Sequence, residues 1–398
     1  MLTRRQLALS ALAAAASRAA QSEHGTKPAT TVDQNPIRRR GTGLRAFDPS
    51  LACPGFTLFA PMNGNGAVYL IDLNGKVVHE WHMAYPPGLY GYLTDRGSLF
   101  YSGKIPNNTF LGGSPFKGGV ALEADWSGRV LWEVRQPNHH HDARLLKNGN
   151  VLFLCATELP EDIAAKIRGG RPGTEVNGKI WSDYLVEVTK DGKTVWEWRT
   201  WDHLDPAEYP IAFPENLRAE WTHGNTVVEL ADGNLLVSFR NISTIIQIER
   251  TSGRVMWKLG PPMLSGQHAP TPLPGGKILI FDNGPHRLDQ TFPFSRVIEV
   301  DAATKEIVWK YQEAFPPSFY SDRISNAQRL PNGNTLINEG QFGRFFEVTP
   351  SGEVVWEYVN PYFGPVTAPP VRQMNNVFRV YRYSQEEVAR ARATSGVA

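Results

Sequence analysis

The stretch that decides the fold reads IIQIERTSGRVMWKL at residues 245–259: an apolar strand, a glycine turn and a second strand that carries a tryptophan. Related phrases recur along the chain, and 47 to 64 residues separate their tryptophans. The other copies read VYLIDLNGKVVHEW at 68–81, VALEADWSGRVLWEV at 120–134, YLVEVTKDGKTVWEW at 184–198, VIEVDAATKEIVWKY at 297–311 and FFEVTPSGEVVWEY at 345–358. Six copies at this period indicate a repeat architecture.

A second unit lies between these phrases, a glycine turn followed by an apolar strand, as in KNGNVLFLCA at 147–156 and ADGNLLVSFR at 231–240. The two units together supply about four short antiparallel strands, which make one blade, so the sequence predicts an all-β, six-bladed β-propeller. The first phrase lacks a partner unit and the last apolar strand, VFRVYRY at 377–383, lacks a blade. We expect these two to join and close the ring, with the tryptophans packed between neighbouring blades.

The first twenty residues differ from the rest of the chain. Arg4 and Arg5 precede a short alanine-rich run that is about half the length needed to span a bilayer. This pattern predicts a twin-arginine signal peptide at 1–20, and hence export by the twin-arginine machinery to the periplasm or beyond, with no membrane span. The remaining predicted segments are a flexible or loosely docked leader at 21–50, the propeller at 51–385 and a C-terminal tail, helical or frayed, at 386–398.

Charge and cysteine content narrow the possible functions. The 41 basic and 39 acidic side chains nearly cancel, and there is no basic stripe of the kind that binds nucleic acid. Cys53 and Cys155 are the only cysteines. In an oxidising compartment they could form one disulfide, and two buried thiols are the equally open alternative. Oligomeric state is left open by the sequence.

Aligning the turn units on their glycines exposes a column of polar residues upstream. His141, His268 and Ser325 each lie eight residues before the turn glycine of their unit. In another unit His223 lies ten residues before the glycine, and Asn225 occupies the eighth place. Strand side chains alternate, so offsets of eight and ten point the same way. We therefore predict that three imidazoles converge at the mouth of the central channel.

A second column, seven residues after the same glycines, contains Lys104, Arg240 and Asn283. Arg240 follows the apolar run LLVSF, where a guanidinium would be costly to bury without a carboxylate partner or a bound anion. Both a structural ion pair and an anion site fit this position. The insertions at 107–119, 157–181 and 201–221 are expected to wall a binding site over the channel. Further residues that could line the channel are Tyr92, Tyr101 and Asn326.

These residue types limit the chemistry. Neutral imidazole is a good nucleophile and base near neutral pH, and its cation stabilises developing anions. The column holds no pair of carboxylates, which disfavours a glycosidase. Three histidines could hold zinc, but tight His-x-His or HExxH spacing is absent, so we expect no metal and no cofactor. In the run His139-His140-His141, neighbouring side chains on a strand face opposite ways, so at most two share a side, and Asp142 is expected to orient one of them.

On these residues the sequence resembles the aryl-sulfate sulfotransferase family of exported bacterial enzymes, in its propeller-only form, from about residue 50 to 385. The most specific match is His-x-Asn followed by Ser-x-Arg-Asn-x-Ser, within WTHGNTVVELADGNLLVSFRNISTIIQIE at 221–249. Other matching stretches are HHHDARLLKNGNVLFL at 139–154, GQHAPTPLPGGKILIFDNG at 266–284 and SNAQRLPNGNTLINEGQFGRFFEVTPSGEVVWEY at 325–358.

The resemblance implies sulfuryl transfer from an aryl sulfate to a phenol, without a nucleotide sulfate donor. It implies that His268 attacks the sulfur and forms a sulfohistidine. It also implies that His223, Asn225, Arg240 and His141 hold the sulfuryl oxygens or protonate the leaving phenolate. Two alternatives stay open: a polysaccharide lyase that acts on acidic sugars with His, Tyr and Arg, and a non-catalytic propeller that binds a ligand or partner.

Overall fold

The structure is a computed structural model that describes residues 30–106, 113–287, 291–366 and 372–395. The predicted signal peptide at 1–20 and the beginning of the leader lie outside the described residues. Residues from Val32 onward form one compact unit. Within the described part of the chain, no helix combines the length and apolar character that crossing a membrane requires.

The secondary structure of the described residues is almost entirely β. In chain order the strands are β1 (Gly43–Phe47), β2 (Phe56–Pro61), β3 (Ala67–Ile71), β4 (Val77–His82), β5 (Pro87–Leu93), β6 (Leu99–Lys104), β7 (Gly119–Ala124), β8 (Val130–Arg135), β9 (His139–Leu145), β10 (Val151–Glu158), β11 (Trp181–Val188), β12 (Thr194–Arg199), β13 (Gly224–Glu229), β14 (Leu235–Phe239), β15 (Thr244–Ile248), β16 (Val255–Leu259), β17 (His268–Leu273), β18 (Lys277–Asp282), β19 (Arg296–Asp301), β20 (Ile307–Tyr311), β21 (Asn326–Arg329), β22 (Thr335–Glu339), β23 (Arg344–Val348), β24 (Val354–Val359), β25 (Gly364–Val366), β26 (Arg372–Met374) and β27 (Val377–Tyr383). The helices are α1 (Glu161–Ala164), α2 (Thr200–His203) and α3 (Gln385–Ala393), with 3-10 turns at Pro36–Arg38, Pro316–Ser318 and Gly340–Phe342.

Six antiparallel sheets form the blades of a propeller. Blade one is β27-β2-β3-β4, blades two to five are β5–β8, β9–β12, β13–β16 and β17–β20, and blade six is β21–β24. The innermost strands β27, β5, β9, β13, β17 and β21 contact one another in a complete ring around the axis. The six-bladed propeller is therefore confirmed. The ring closes as predicted, because the C-terminal strand β27 pairs with β2 from Phe56 opposite Tyr383.

The tryptophan phrase belongs to the scaffold. The indole N–H groups of Trp257, Trp309 and Trp356 each donate to a backbone carbonyl in a turn of the next blade, over 2.7, 2.9 and 2.8 Å. In blades one and three the tryptophans two residues further along, Trp81 and Trp198, make the same contact. Each of these bonds satisfies a polar group while the ring packs between blades, so the expected inter-blade packing is confirmed at these positions.

The described part of the predicted leader docks on the propeller. Strand β1 pairs with β24 and adds a fifth strand to blade six. Arg39 lies buried with its Nη2 atom 2.9 Å from a Glu357 carboxylate oxygen, and this pairing compensates both charges. The added strand also covers apolar surface, since Val355 is fully buried whereas Val308, its counterpart in blade five, is 48% exposed.

The C-terminal tail contains a well-formed helix. Ser384 caps α3, and Glu387 completes a reciprocal capping box with it. Val388 and Ala391 of the helix are buried against the propeller. The cysteines are two separate buried thiols: Cys53 packs in the cluster around Phe59 and Trp356, and Cys155 packs in another, around Phe153 and Val186.

Candidate functional site

The site is built at the beginnings of the innermost strands, where the backbone repeats one irregularity. Leu89, His141, His223, Ala269 and Ile324 have φ angles of 111°, 51°, 50°, 49° and 53°. Such left-handed conformations are uncommon for residues other than glycine. The pairing register shifts near the same place in blades two to five. These bulges interrupt the alternation of side chains along the strands. Side chains that a regular strand would direct elsewhere therefore turn toward the propeller axis.

Two of the three predicted histidines are in contact. The rings of His141 and His223 pack edge to face with their centroids 4.7 Å apart. Phe116 stacks on His141 at 4.5 Å and meets His223 at 5.4 Å. His223 is also held by a carboxylate, because its Nδ1 atom lies 2.7 Å from a carboxylate oxygen of Glu220. Phe116 and the Glu220 carboxylate thus fix the positions of the two rings.

The hydrogen bonds of His268 define its proton state. Its Nδ1 atom lies 2.8 Å from the Asn283 side-chain oxygen and 3.1 Å from the Gly266 carbonyl, so Nδ1 carries the proton. Its Nε2 atom accepts a hydrogen bond from the backbone N–H of Ile324 over 3.1 Å and therefore carries a lone pair. The structure thus fixes His268 as one neutral tautomer.

Burial and neighbouring charged groups shift the pKa values of His268 and His141. Burial first, and then Arg240, lowers the pKa of His268 well below its usual value, and His223 and Arg379 act in the same direction. Burial and the charges of His223 and His140 likewise lower the pKa of His141. Both rings are therefore neutral at physiological pH. His223 and Arg379 thus lower the pKa of both His141 and His268, and Arg240 lowers that of His268.

Arg240 is weakly bound within the protein. Its Nη1 and Nη2 atoms make long contacts of 3.3 and 3.5 Å with the Asn241 side chain and the Asp322 carbonyl. Its Nε atom is buried and has no hydrogen-bond partner within the described ranges. Burial lowers its pKa. A partly exposed guanidinium with a spare, buried Nε–H donor is suited to binding an anion.

The run of three histidines folds differently from the strand pattern. The left-handed φ of His141 breaks the alternation, so the rings of His140 and His141 meet with their Nδ1 atoms 2.6 Å apart. The Nε2 atom of His140 lies 2.8 Å from a carboxylate oxygen of Asp183. The expectation that Asp142 orients a histidine is therefore wrong. Asp183, from the third strand of the same blade, contacts the run instead.

Asp142 belongs to a buried ionic cluster deeper in the channel. One oxygen accepts a hydrogen bond from the Tyr90 hydroxyl, and the other lies 3.0 Å from a terminal nitrogen of Arg379. Arg144 approaches the first oxygen at 3.4 Å. Arg379 also donates to the Asn225 carbonyl and to the Tyr90 hydroxyl. This cluster ties four blades together below the histidines.

Comparison with known proteins identifies the family. A family model described as Arylsulfotransferase (ASST) matches residues 115–361, more than half of the chain. The chain belongs to the arylsulfotransferase family. The matched range includes His141, His223, Arg240 and His268. Membership supports arylsulfotransferase activity in general and indicates small-molecule substrates. A search of curated protein sequences found no match.

Solved structures with similar folds are distant from this arylsulfotransferase family member. A protein of unknown function from Bacteroides caccae is 16% identical with a TM-score of 0.48, and the match covers 77% of this chain and 94% of that one. A streptogramin B lyase is 11% identical with a TM-score of 0.45, covering 86% and 93%. A virginiamycin B lyase from Staphylococcus aureus is 12% identical with a TM-score of 0.38, covering 74% and 83%.

The remaining candidate residues occupy different places. Asn283 contacts His268, whereas Asn225 and Asn326 use their side-chain amides to bond backbone groups of the next blade, Gln267 and Val380. These two asparagines join neighbouring blades at the rim of the site.

The two tyrosines lie in other parts of the propeller. Tyr101 is in the apolar core, and its hydroxyl donates to the Tyr85 carbonyl. Tyr92 lines a separate cavity of about 620 Å³ at the far ends of the inner strands. Four residues of strand, about 13 Å, separate that end from His141. Lys104 ends β6 opposite Gly119, and burial lowers its pKa.

Sequence reasoning missed four side chains of this site. Glu220 and Phe116 lie in the insertions that were expected to wall it, so their segments, but not their roles, could be anticipated. Asp183 and Arg379 lie in regular strands with no motif around them. Among the described residues, no group of three or more His, Cys, Asp or Glu is arranged to hold a metal ion.

Proposed function

We propose that this protein transfers a sulfuryl group from an aryl sulfate to a phenolic acceptor, through a sulfohistidine formed on His268 and without a nucleotide donor. The observation that carries the proposal is the state of His268: a neutral ring with Nδ1–H held by Asn283 and Gly266 and a lone pair on Nε2. A nucleophilic imidazole has to be neutral, and burial, together with the nearby cation Arg240, keeps this one so.

The Ile324 amide defines the first event at this nucleophile. Its N–H occupies the Nε2 lone pair in the resting protein. Attack requires exchange of that hydrogen bond for the sulfur atom. Once Nε2 has bonded to sulfur, the freed N–H is a donor beside the sulfuryl oxygens, where it stabilises their charge.

Cations supply the remaining stabilisation. The transferred group carries its charge on peripheral oxygens, as in phosphoryl transfer, so positioned donors contribute most of the catalysis. Arg240 offers an unused Nε–H, and Arg379 lies close enough to act on the charge of His268. We assign Arg240 to the sulfuryl oxygens and Arg379 to the electrostatic field behind them.

The route to the site passes His223. His223, Glu220 and Arg240 are partly exposed, whereas His141 and His268 are buried. Burial raises the pKa of the Glu220 carboxyl, but His223 outweighs burial and lowers it. The Glu220 carboxylate at Nδ1 orients the His223 ring at this entrance, where the ring can contact an incoming sulfate.

Export is part of the proposal. Arg4 and Arg5 would direct the chain through the twin-arginine pathway. Replacing both by lysine should leave the protein in the cytoplasm of the expressing cell, and fractionation with immunoblotting measures this. Equal export of the double-lysine variant would contradict it.

The activity is tested with nitrophenyl sulfate, with and without phenol, in the presence of a chelator. The expected result is nitrophenolate release that accelerates with phenol and disappears in His268→Ala. The control is His82→Ala, which removes a histidine whose side chain is 76% exposed and should leave the rate unchanged.

No release across a panel of aryl sulfates would overturn the proposal. Ultraviolet absorbance rising on a uronate polymer would instead favour the lyase. Tight ligand binding without turnover would favour a binding propeller.

A further inference from the structure

Three side chains form a continuous line into the histidine cluster. A carboxylate oxygen of Asp183 lies 2.8 Å from His140 Nε2, and His140 Nδ1 lies 2.6 Å from His141 Nδ1. All three residues are almost completely buried. The line therefore runs through protein and is screened from water.

The carboxylate end of the line is anchored. The second oxygen of Asp183 accepts the backbone N–H of Gly224 over 2.7 Å and the hydroxyl hydrogen of Thr222. Both donors belong to the segment entering blade four, next to His223. These bonds fix the orientation of the Asp183 carboxylate, which sets the direction of the His140 ring.

The other end of the line is free to act. His141 Nε2 is buried and has no hydrogen-bond partner within the described part of the chain. Stacking on Phe116 and edge contact with His223 hold the ring in place. Because Nδ1 is bound to His140, only Nε2 can address a substrate. An unpartnered buried nitrogen at this place is costly unless a ligand uses it.

We propose that Asp183 and His140 are positioning residues that make His141 the general acid for the departing phenolate and the general base for the incoming phenol. This inference rests on the proposed sulfuryl transfer. The two histidines then have different roles. His268, which is hydrogen-bonded to the Asn283 amide, attacks the sulfur, and His141, which contacts the His140 imidazole and through it the Asp183 carboxylate, transfers the proton.

The proton balance closes over one cycle. At rest His140 is a cation whose protonated Nε2 forms an ion pair with Asp183 and whose Nδ1–H is donated to His141, so His141 bears its own proton on Nε2. As His268 Nε2 bonds to sulfur, the sulfur–oxygen bond breaks and its electron pair goes to the aryl oxygen, which takes the Nε2 proton of His141. The Nδ1 proton of His140 then passes to His141, leaving both rings neutral.

The second half-reaction reverses these proton steps. The acceptor phenol gives its proton to His141 Nε2 as its oxygen bonds to sulfur, and the nitrogen–sulfur bond returns its electron pair to His268. The Nδ1 proton moves back to His140. Burial disfavours the His140 cation, but Asp183 and then Glu220 outweigh burial and raise its pKa, whereas the pKa of His141 is lowered, so the resting proton belongs on His140.

Leaving-group dependence tests this assignment. Nitrophenolate departs without a proton, whereas phenolate, with a conjugate acid of pKa near 10, needs one. In Asp183→Asn and His140→Gln we expect the rate with phenyl sulfate to fall by about 10²- to 10⁴-fold, and the rate with nitrophenyl sulfate to fall by less than about tenfold. His139→Gln is the matched control, since His139 is the adjacent buried histidine outside the line; it should affect both substrates equally.

Folding is checked by thermal unfolding of each variant. Equal losses on both substrates in a folded Asp183→Asn or His140→Gln protein would overturn the relay. A wild type inactive on both substrates would instead defeat the proposed function, so the two failures are distinguishable.

A measurement on the unmodified protein covers the case of variants that do not fold. Rates with aryl sulfates of rising leaving-group pKa should decline only shallowly, because His141 neutralises the departing oxygen. A steep decline in the wild type would overturn the relay without any substitution.

Discussion

The side-chain oxygen of Asn283 lies 2.8 Å from His268 Nδ1, while the amide nitrogen of Asn283 donates to the carbonyls of Ser321 and Ile324 at the entrance to blade six. One side chain thus fixes the tautomer of the proposed nucleophile and joins its blade to the next. Because the Asn283 side chain is an uncharged amide, it does not favour protonation of His268 as a carboxylate would, and this helps the ring to remain neutral.

Asn283→Asp should create a pH dependence that the wild type lacks. A carboxylate at Nδ1 favours the imidazolium and raises the pKa of His268, so the nucleophile becomes protonated as pH falls through the new value. Below it, kcat/KM should fall about tenfold per pH unit. The control is Asn326→Asp, which changes another buried asparagine one blade on, whose side chain bonds only backbone groups. Identical pH profiles for Asn283→Asp and wild type would contradict this role.

Arg240→Met should lower kcat by about 10²- to 10³-fold with little loss of thermal stability. The reason is that Arg240 makes only long contacts within the protein and keeps a buried donor for the sulfuryl oxygens. Arg323→Met is the matched control, because Arg323 is a neighbouring arginine that is 44% exposed. A large drop in melting temperature with unchanged kcat would show that Arg240 is a structural ion-pair residue.

Asp142→Asn should destabilise the propeller by about 3 to 5 kcal/mol, because it leaves the buried Arg379 and the partly buried Arg144 without their carboxylate. Denaturant unfolding measures this. Burial acts against the charged form of Asp142, but Arg144 and then Arg379 outweigh it and lower its pKa. Its contribution is therefore present above the unfolded pKa, near 3.9, and lost as pH falls through the lower folded value.

The variant should lose less stability than the wild type between neutral pH and this acid range. The control is Asp162→Asn, which removes a 73% exposed carboxylate. Equal stability of Asp142→Asn and Asp162→Asn at neutral pH would contradict the role of the cluster.

Most of the fold could be predicted because the tryptophan phrase recurs along the chain once per blade. Its six copies give the blade count, and the unpaired ends of the pattern give ring closure. Convergence of the histidines followed from matched offsets in the repeat. The argument from regular alternation was incomplete, since the left-handed residues His141, inside β9, and His223, just before β13, lie at irregularities in the strand pairing.

The rest could not be predicted because it depends on contacts without a local pattern. Asp183 contacts His140 from a strand over forty residues away in the sequence. Nothing in the repeat pattern requires a charged residue at that strand position. Arg379 lies in the closing strand, which has no turn glycine after it and so could not be aligned with the columns. The docking of β1 on blade six depends on the ion pair of Arg39 with Glu357, which joins residues far apart in sequence.

Thiol titration should find no reactive cysteine in the folded protein and two per chain after unfolding. Cys53 and Cys155 are buried in separate clusters, and burial raises the pKa of both thiols, which suppresses the reactive thiolate. Reductant should leave the melting temperature unchanged. A reductant-dependent melting temperature, with no thiols after unfolding, would show that the two residues form a disulfide.

The central claim is that His268 carries the sulfuryl group between donor and acceptor. The most direct measurement is mass spectrometry of peptides from protein incubated with nitrophenyl sulfate in the absence of phenol and processed without acid. The account predicts the mass of one SO₃ group on the peptide containing His268, lost on addition of phenol and absent in His268→Ala. Turnover without this adduct, or an adduct on His223 or His141, would contradict it.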